Sequence, residues 1–151
     1  MTNSNYIKGA KAVVDIIDIA IESINKYPPV GFNNIQLNQF INTYIQFKNS
    51  ALNPLPKYAN LRSLAYIKRD ALTYFQEGTG DAVTYFWKQV DGQNLGVRRE
   101  NKLQKILKRG KIKDKMEYNF VTDVLVPYQQ TGLITDDDVS KINQMIASFE
   151  K

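Results

Sequence analysis

The chain has 151 residues, 43% of them hydrophobic and 23% charged, and carries a formal net charge of +5. This length suits one ordinary domain, and the balance of hydrophobic and charged residues is typical of a globular chain rather than a disordered one. Because the sequence contains no cysteine and no histidine, disulfides, thiolate metal sites and histidine-based catalysis are excluded.

The amino-terminal region carries the clearest helical pattern. Apolar residues recur at steps of three and four from Ser4 to Lys26, and Pro28 and Pro29 follow. This pattern predicts an amphipathic helix at the centre of the fold, with Asn3 or Ser4 as its N-cap. The predicted inner positions are Ile7, Ala10, Val14, Ile17, Ile21 and Ile24.

Lys8 and Lys11 precede this apolar run as they would in a secretion signal, but three acidic residues interrupt it. These are Asp15, Asp18 and Glu22. A row of acids on one helix face is a candidate metal site, although without histidine a solvated face is the favoured interpretation. No stretch reaches the ~18 uninterrupted apolar residues of a membrane span. We expect a cytoplasmic protein with no metal site and no membrane contact.

A second helix is predicted from about Asn34 to Asn49, and a third from about Asn60 to Gln76. On the outer face of the third, Tyr66 lies between Arg62 and Arg69. An aromatic ring flanked by arginines can stack on a base or on a partner's side chain. These three residues are candidates for partner binding, and an ordinary amphipathic surface tyrosine is the alternative.

A fourth helix is predicted to begin at Thr79 to Asp81 and to run to about Asp91. Phe86 and Trp87 share its apolar face, whereas Tyr85 lies outside that face. Tyr85 is therefore a further candidate for partner binding.

Positive charge is concentrated between Gly96 and Lys115, here called the basic segment. It contains nine basic and two acidic residues, whereas the rest of the chain has eleven basic and thirteen acidic ones. Projection on a helix gives a basic side and an apolar side, which predicts an amphipathic helix with Gly110 as its C-cap. The basic side holds Arg98, Lys102, Lys105 and Arg109, and the apolar side holds Leu103, Ile106 and Leu107.

Like charges at helical spacing repel, and an oppositely charged partner would relieve that repulsion. The basic segment is therefore the main candidate for a partner-binding surface, with a solvated lysine face as the alternative. Its candidate binding residues are Arg98, Arg99, Lys102, Lys105, Lys108, Arg109, Lys111 and Lys113.

Two further helices are predicted after the basic segment. Asp114 and Glu117 suggest a capping box, and Pro127 is expected to kink or end that helix near Val126. Thr135 then begins the last helix. No segment has the alternation or the turn signals of a strand. The sequence therefore predicts an all-α fold, a single compact domain of six or seven helices spanning residues 1–151.

The sequence contains no phosphate-binding loop, no dinucleotide fingerprint, no EF-hand loop and no nucleophile elbow. Catalysis would have to depend on carboxylates, lysine or tyrosine. We expect a protein that is not an enzyme and that needs no cofactor.

Two non-enzymatic functions remain. The favoured one is docking on an acidic protein partner, as an inhibitor or an immunity-type neutraliser of a toxin or enzyme would do, and it is reached by elimination. The alternative is a nucleic-acid-binding protein that contacts phosphates non-specifically. The basic helix and the next helix have helix-turn-helix lengths, but Asp114 and Glu117 would repel phosphates where that motif contacts DNA.

Overall fold

The computed structural model describes residues 4–151, so the candidate cap Asn3 lies outside the described residues. Over these residues the chain forms seven α-helices and no strand, which confirms the predicted all-α class. The helices are α1 (Ser4–Lys26), α2 (Asn34–Leu52), α3 (Leu61–Glu77), α4 (Asp81–Gln93), α5 (Gln104–Arg109), α6 (Lys115–Gln130) and α7 (Asp136–Glu150), with a 3₁₀ turn at Pro56–Tyr58.

The chain divides into two compact units. The first unit ends at Arg98 and contains α1 to α4, and the second begins at Arg99 and contains α5 to α7. That residues 1–151 form a single domain stays a prediction.

Helix α1 packs against α2, α3 and α4, so it lies at the centre of the first unit. Ile17 is completely buried and Ile21 partly buried, as the helical pattern predicted. Ile7 differs from the expectation, because 58% of it is exposed. Tyr6 and Ala10 are the buried residues of the first two turns, and Ile7 lies outside the stripe that they form.

Aromatic side chains fill the first unit's core. The rings of Phe75 and Phe86 stack with their centroids 3.9 Å apart, and the indole Nε1 of Trp87 donates a hydrogen bond to the Phe75 carbonyl at 2.7 Å. Tyr44 is also buried, and its hydroxyl donates to the Ala71 carbonyl at 2.6 Å. These bonds satisfy polar groups that would otherwise be costly to bury.

The second unit has its own core, to which the basic segment contributes three residues. The fully or largely buried residues are Leu103, Ile106, Ile112, Val121, Val124, Tyr128, Ile134, Ile142 and Met145. Helix α6 does not end near Val126 but continues through Pro127 to Gln130. The Thr131 N–H donates to the Pro127 carbonyl at 3.1 Å, which completes the last turn beyond the proline.

Candidate partner-binding surfaces

The basic segment contains a shorter helix than its periodicity predicted. Helix α5 covers only Gln104–Arg109. Arg98, Arg99 and Lys102 precede it in irregular or turn structure. The prediction of one helix that carries a basic stripe from Arg98 onwards is therefore wrong.

Asn101 accounts for the late start of this helix. Its side-chain oxygen accepts a hydrogen bond from the Leu103 N–H at 3.1 Å, and its carbonyl accepts one from the Gln104 N–H at 3.3 Å. Asparagine competes in this way with helical hydrogen bonds and favours a turn. Leu103 and Ile106 are nevertheless buried and Leu107 is partly buried, so the predicted apolar side is confirmed.

Four lysines of the basic segment are exposed and are here together called the lysine surface: Lys105, Lys108, Lys111 and Lys113. Lys105 and Lys108 are neighbours on α5 because they are three residues apart. Lys111 and Lys113 flank the buried Ile112. Among residues 4–151, none of these four side chains has an acidic group within 4.0 Å.

Arg109 differs from these lysines because it is already paired within the second unit. Its Nη1 and Nη2 donate to the two carboxylate oxygens of Glu117 at 2.6 and 2.9 Å, and Nη1 also donates to the Lys111 carbonyl at 3.1 Å. The Lys113 N–H donates to the same carboxylate at 3.0 Å. These bonds, chiefly those from Arg109, lower the pKa of Glu117 to about 2. Arg109 therefore fixes the chain that carries Lys111 and Lys113.

The capping interaction at α6 is correspondingly only half formed. Asp114 accepts a hydrogen bond from the Glu117 N–H at 2.9 Å, as a cap should. The Glu117 carboxylate bonds to Arg109 and to the Lys113 N–H instead of to the N-cap residue. At α7, by contrast, Thr135 and Asp138 form the complete predicted capping box.

Arg99 turns towards the interior of the second unit. It is partly buried, and its guanidinium lies 4.9 Å from the centre of the Tyr128 ring. Burial lowers the pKa of Arg99. Lys102 is also partly buried, whereas Arg98 is exposed at the end of the first unit. These three residues do not join the lysine surface on a common helix face.

Tyr66 lies on the outer face of α3, as predicted, and 51% of it is exposed. The Arg69 guanidinium is 5.1 Å from the centre of its ring. Arg62 and Tyr66 line a groove of about 710 Å³ beside the turn that joins α2 to α3. The structure thus brings Arg62 and Tyr66 together at one concave surface.

Tyr85 is engaged within the first unit. Its hydroxyl donates to Glu22 Oε1 at 2.5 Å, and its ring lies 5.5 Å from that of Tyr27 and 4.8 Å from Lys26 Nζ. The hydrogen bond to Glu22 is the main reason that the pKa of Tyr85 is raised. Tyr85 therefore joins α4 to α1, and a partner would have to compete with these contacts.

The three acidic residues of α1 also have partners within the first unit. Asp15 pairs with Lys11 at 3.2 Å and Asp18 with Lys48 at 2.9 Å, while Glu22 accepts from Tyr85. Within the described part of the chain, no three acidic side chains are placed to hold a metal ion. None of its helices is both long enough and apolar enough to cross a membrane.

Two residues of the α2–α3 groove, Leu55 and Tyr58, were not among the candidates predicted from the sequence. They are 61% and 52% exposed. The sequence does indicate that Leu55 lies in a turn, because Pro54 and Pro56 on either side prevent it from continuing either helix. An apolar residue held in this way in a turn has few means of reaching the core.

Comparison of this chain with protein-family models, with curated proteins and with solved structures finds no match.

Proposed function

We propose that this chain is a small, non-enzymatic helical binding protein that docks on an acidic protein partner through the lysine surface. The observation that carries the proposal is that Lys105, Lys108, Lys111 and Lys113 are exposed without an acidic partner among the described residues. Such like-charged groups repel one another, so an acidic partner gains more free energy there than on a mixed surface.

The chain that carries these lysines is held in place before any partner binds. Leu103, Ile106 and Ile112 anchor it in the second unit's core, and the Arg109–Glu117 pair fixes the turn after α5. Docking on such a preorganised backbone costs less conformational entropy than docking through a disordered lysine tail. This geometry favours a role in specific docking over a general role of the lysines in keeping the chain soluble.

An inhibitor or immunity-type neutraliser of a toxin or enzyme is the class of binding protein that we propose, and the cytoplasm is its proposed location. A protein that neutralises its target by covering the target's surface needs no reacting groups of its own. The absence of histidine and cysteine from the sequence is compatible with that class.

A nucleic-acid partner is the alternative, and the structure gives it less support. Helix α5 has six residues, which is short for the first helix of a helix-turn-helix unit. Asp114 caps α6 and Glu117 lies in its first turn, where that motif would approach phosphates and bases. In this alternative, the lysine surface contacts the phosphates of a nucleic acid without sequence specificity.

The test is recovery of partners from native cell extract by the parent chain and by the double variant Lys105→Glu, Lys108→Glu. The matched control is Lys8→Glu, Lys88→Glu, which reverses two exposed lysines of the first unit. We expect the first variant to lose the partner and the control to keep it. Circular dichroism of both variants checks that the helices remain folded.

Nuclease treatment and salt separate the two kinds of partner. An acidic protein should remain bound after nuclease treatment. A nucleic acid that contacts four lysines should lose affinity with a log–log salt slope of about −4, because each neutralised phosphate releases a counterion. Partners that remain bound to the lysine variant would contradict both kinds of docking and identify the lysine surface as merely solvated.

A further inference from the structure

The groove beside the α2–α3 turn is a concave surface of the first unit. Its volume is about 710 Å³, within the range of protein sites that hold small ligands or side chains. Leu55, Tyr58 and Tyr66 line it, and each is more than half exposed. Large apolar side chains gathered in this way on a surface often mark an interaction site.

The groove is held in shape by its own turn. Pro54 and Pro56 restrict the backbone on both sides of Leu55, and the Tyr58 N–H donates to the Leu55 carbonyl at 2.8 Å. Asn60 caps α3 by accepting from the Ser63 N–H at 2.9 Å, and its amide donates to the Lys57 carbonyl at 3.1 Å. A partner would therefore meet a preformed surface, which lowers the entropic cost of binding.

The charge of the groove indicates which kind of ligand it would bind. Lys57 and Arg62 are the charged residues among those that line it, and no lining residue is acidic. Both side chains are exposed, and neither has an acidic group within 4.0 Å among the described residues. An apolar floor with two cations is complementary to an apolar side chain flanked by carboxylates.

We propose that this groove binds an acidic peptide segment of another protein. One aliphatic or aromatic side chain of the peptide packs against Leu55, Tyr58 and Tyr66, and its carboxylates pair with Lys57 and Arg62. The proposal depends on the first unit alone and does not require the lysine surface. Failure of either proposal therefore leaves the other standing.

A single-stranded nucleic acid fits this groove less well than a peptide. Stacking of bases needs open ring faces, but Lys57 Nζ lies 5.0 Å from the centre of the Tyr58 ring and the Arg69 guanidinium 5.1 Å from that of Tyr66. Each ring therefore has one face already covered by a cation of the same chain. Leu55 and Ile67 add aliphatic surface that suits a side chain better than a base.

The experiment is selection of short random peptides displayed on phage against the full chain, followed by fluorescence anisotropy with the best peptide. We expect the enriched peptides to combine an apolar residue with two or more acids. Tyr66→Ala and Arg62→Glu should each weaken binding at least about tenfold, as anchor residues do. Ile35→Ala and Lys88→Glu, which change an exposed apolar residue and an exposed lysine elsewhere, should leave the affinity unchanged.

Several results would overturn the proposal. They are no enrichment, enrichment of basic or neutral peptides, and binding that Tyr66→Ala and Arg62→Glu do not change. An oligothymidine that displaces the selected peptide and binds more tightly would assign the groove to nucleic acid instead. Self-association that Tyr66→Ala abolishes, measured by analytical ultracentrifugation, would assign it to a second copy of the chain.

Discussion

Arg109 and Glu117 form a two-point ion pair, with Nη1–Oε1 at 2.6 Å and Nη2–Oε2 at 2.9 Å. The pair lowers the pKa of Glu117 from 4.5 to about 2. The folded chain therefore stabilises the ionised form of this carboxyl group more than the unfolded chain does. Its contribution to stability is present above pH 4.5 and is lost as the pH falls towards about 2. We expect Glu117→Gln to lower the melting temperature at neutral pH.

The difference between Glu117→Gln and the parent should shrink as the pH falls from 4.5 to about 2. Melting curves by far-UV circular dichroism at a series of pH values measure it. Asp123→Asn changes an exposed acid of the same helix and provides the control. A difference between Glu117→Gln and the parent that does not change with pH would contradict an electrostatic role for the pair.

Ile17 and Ile7 lie on the same helix in opposite environments, with none of Ile17 and 58% of Ile7 exposed. Truncation of a fully buried isoleucine leaves a cavity, so Ile17→Ala should cost about 2 to 5 kcal/mol of unfolding free energy. Ile7→Ala should change it by less than ~0.5 kcal/mol. Urea denaturation measures both values. Equal effects of the two substitutions would contradict the central position of α1.

The buried Tyr44 hydroxyl donates to the Ala71 carbonyl at 2.6 Å. Tyr44→Phe would remove this hydrogen bond, at a cost of about 0.5 to 1.5 kcal/mol. Burial also raises the pKa of Tyr44, so the hydroxyl stabilises the folded chain below pH ~10 and loses that effect as the pH rises further.

Tyr44→Phe should therefore lose less stability than the parent does when the pH is raised above ~10. Denaturation at neutral and alkaline pH measures this difference. Tyr58→Phe removes the hydroxyl of a half-exposed tyrosine and should behave like the parent. The prediction fails if both substitutions have the same effect.

Substitution by alanine should have opposite effects on stability at two of the glycines. Gly110 ends α5 at φ +82°, a conformation that strains any residue with a Cβ, so Gly110→Ala should destabilise by about 1 kcal/mol. Gly92 lies within α4, and a Cβ there meets nothing within 4 Å. Gly92→Ala should stabilise by about 0.4 to 1 kcal/mol, because it restricts the unfolded chain. Thermal denaturation of the two variants tests the pair.

The helices were predictable where the sequence marks their ends. Asn60 and Gly78 bound α3 and Thr135 caps α7, and these residues act locally, so the sequence alone indicates where the helices begin and end. The start of α5 was not predictable from periodicity. A helical projection gives every residue an angle, but it does not include the hydrogen bond by which Asn101 holds the Leu103 N–H in a turn.

The candidate surfaces were predictable only in part, for a similar reason. Tyr66 was placed correctly on an outer face, because that position follows from helical geometry. The pairing of Arg109 with Glu117 and of Tyr85 with Glu22 depends on which elements pack together. Sequence spacing carries no such information, since the members of the second pair are separated by 63 residues.

Trp87 is the only tryptophan in the sequence. It is buried in the core of the first unit, where its indole N–H donates a hydrogen bond to the Phe75 carbonyl. Its fluorescence emission therefore follows the loss of that core, whereas far-UV ellipticity follows the helices of both units. In a chain that unfolds in one cooperative step the two signals change together. A chain whose units unfold separately will lose ellipticity from α5, α6 and α7 at a denaturant concentration different from the one at which Trp87 reaches water.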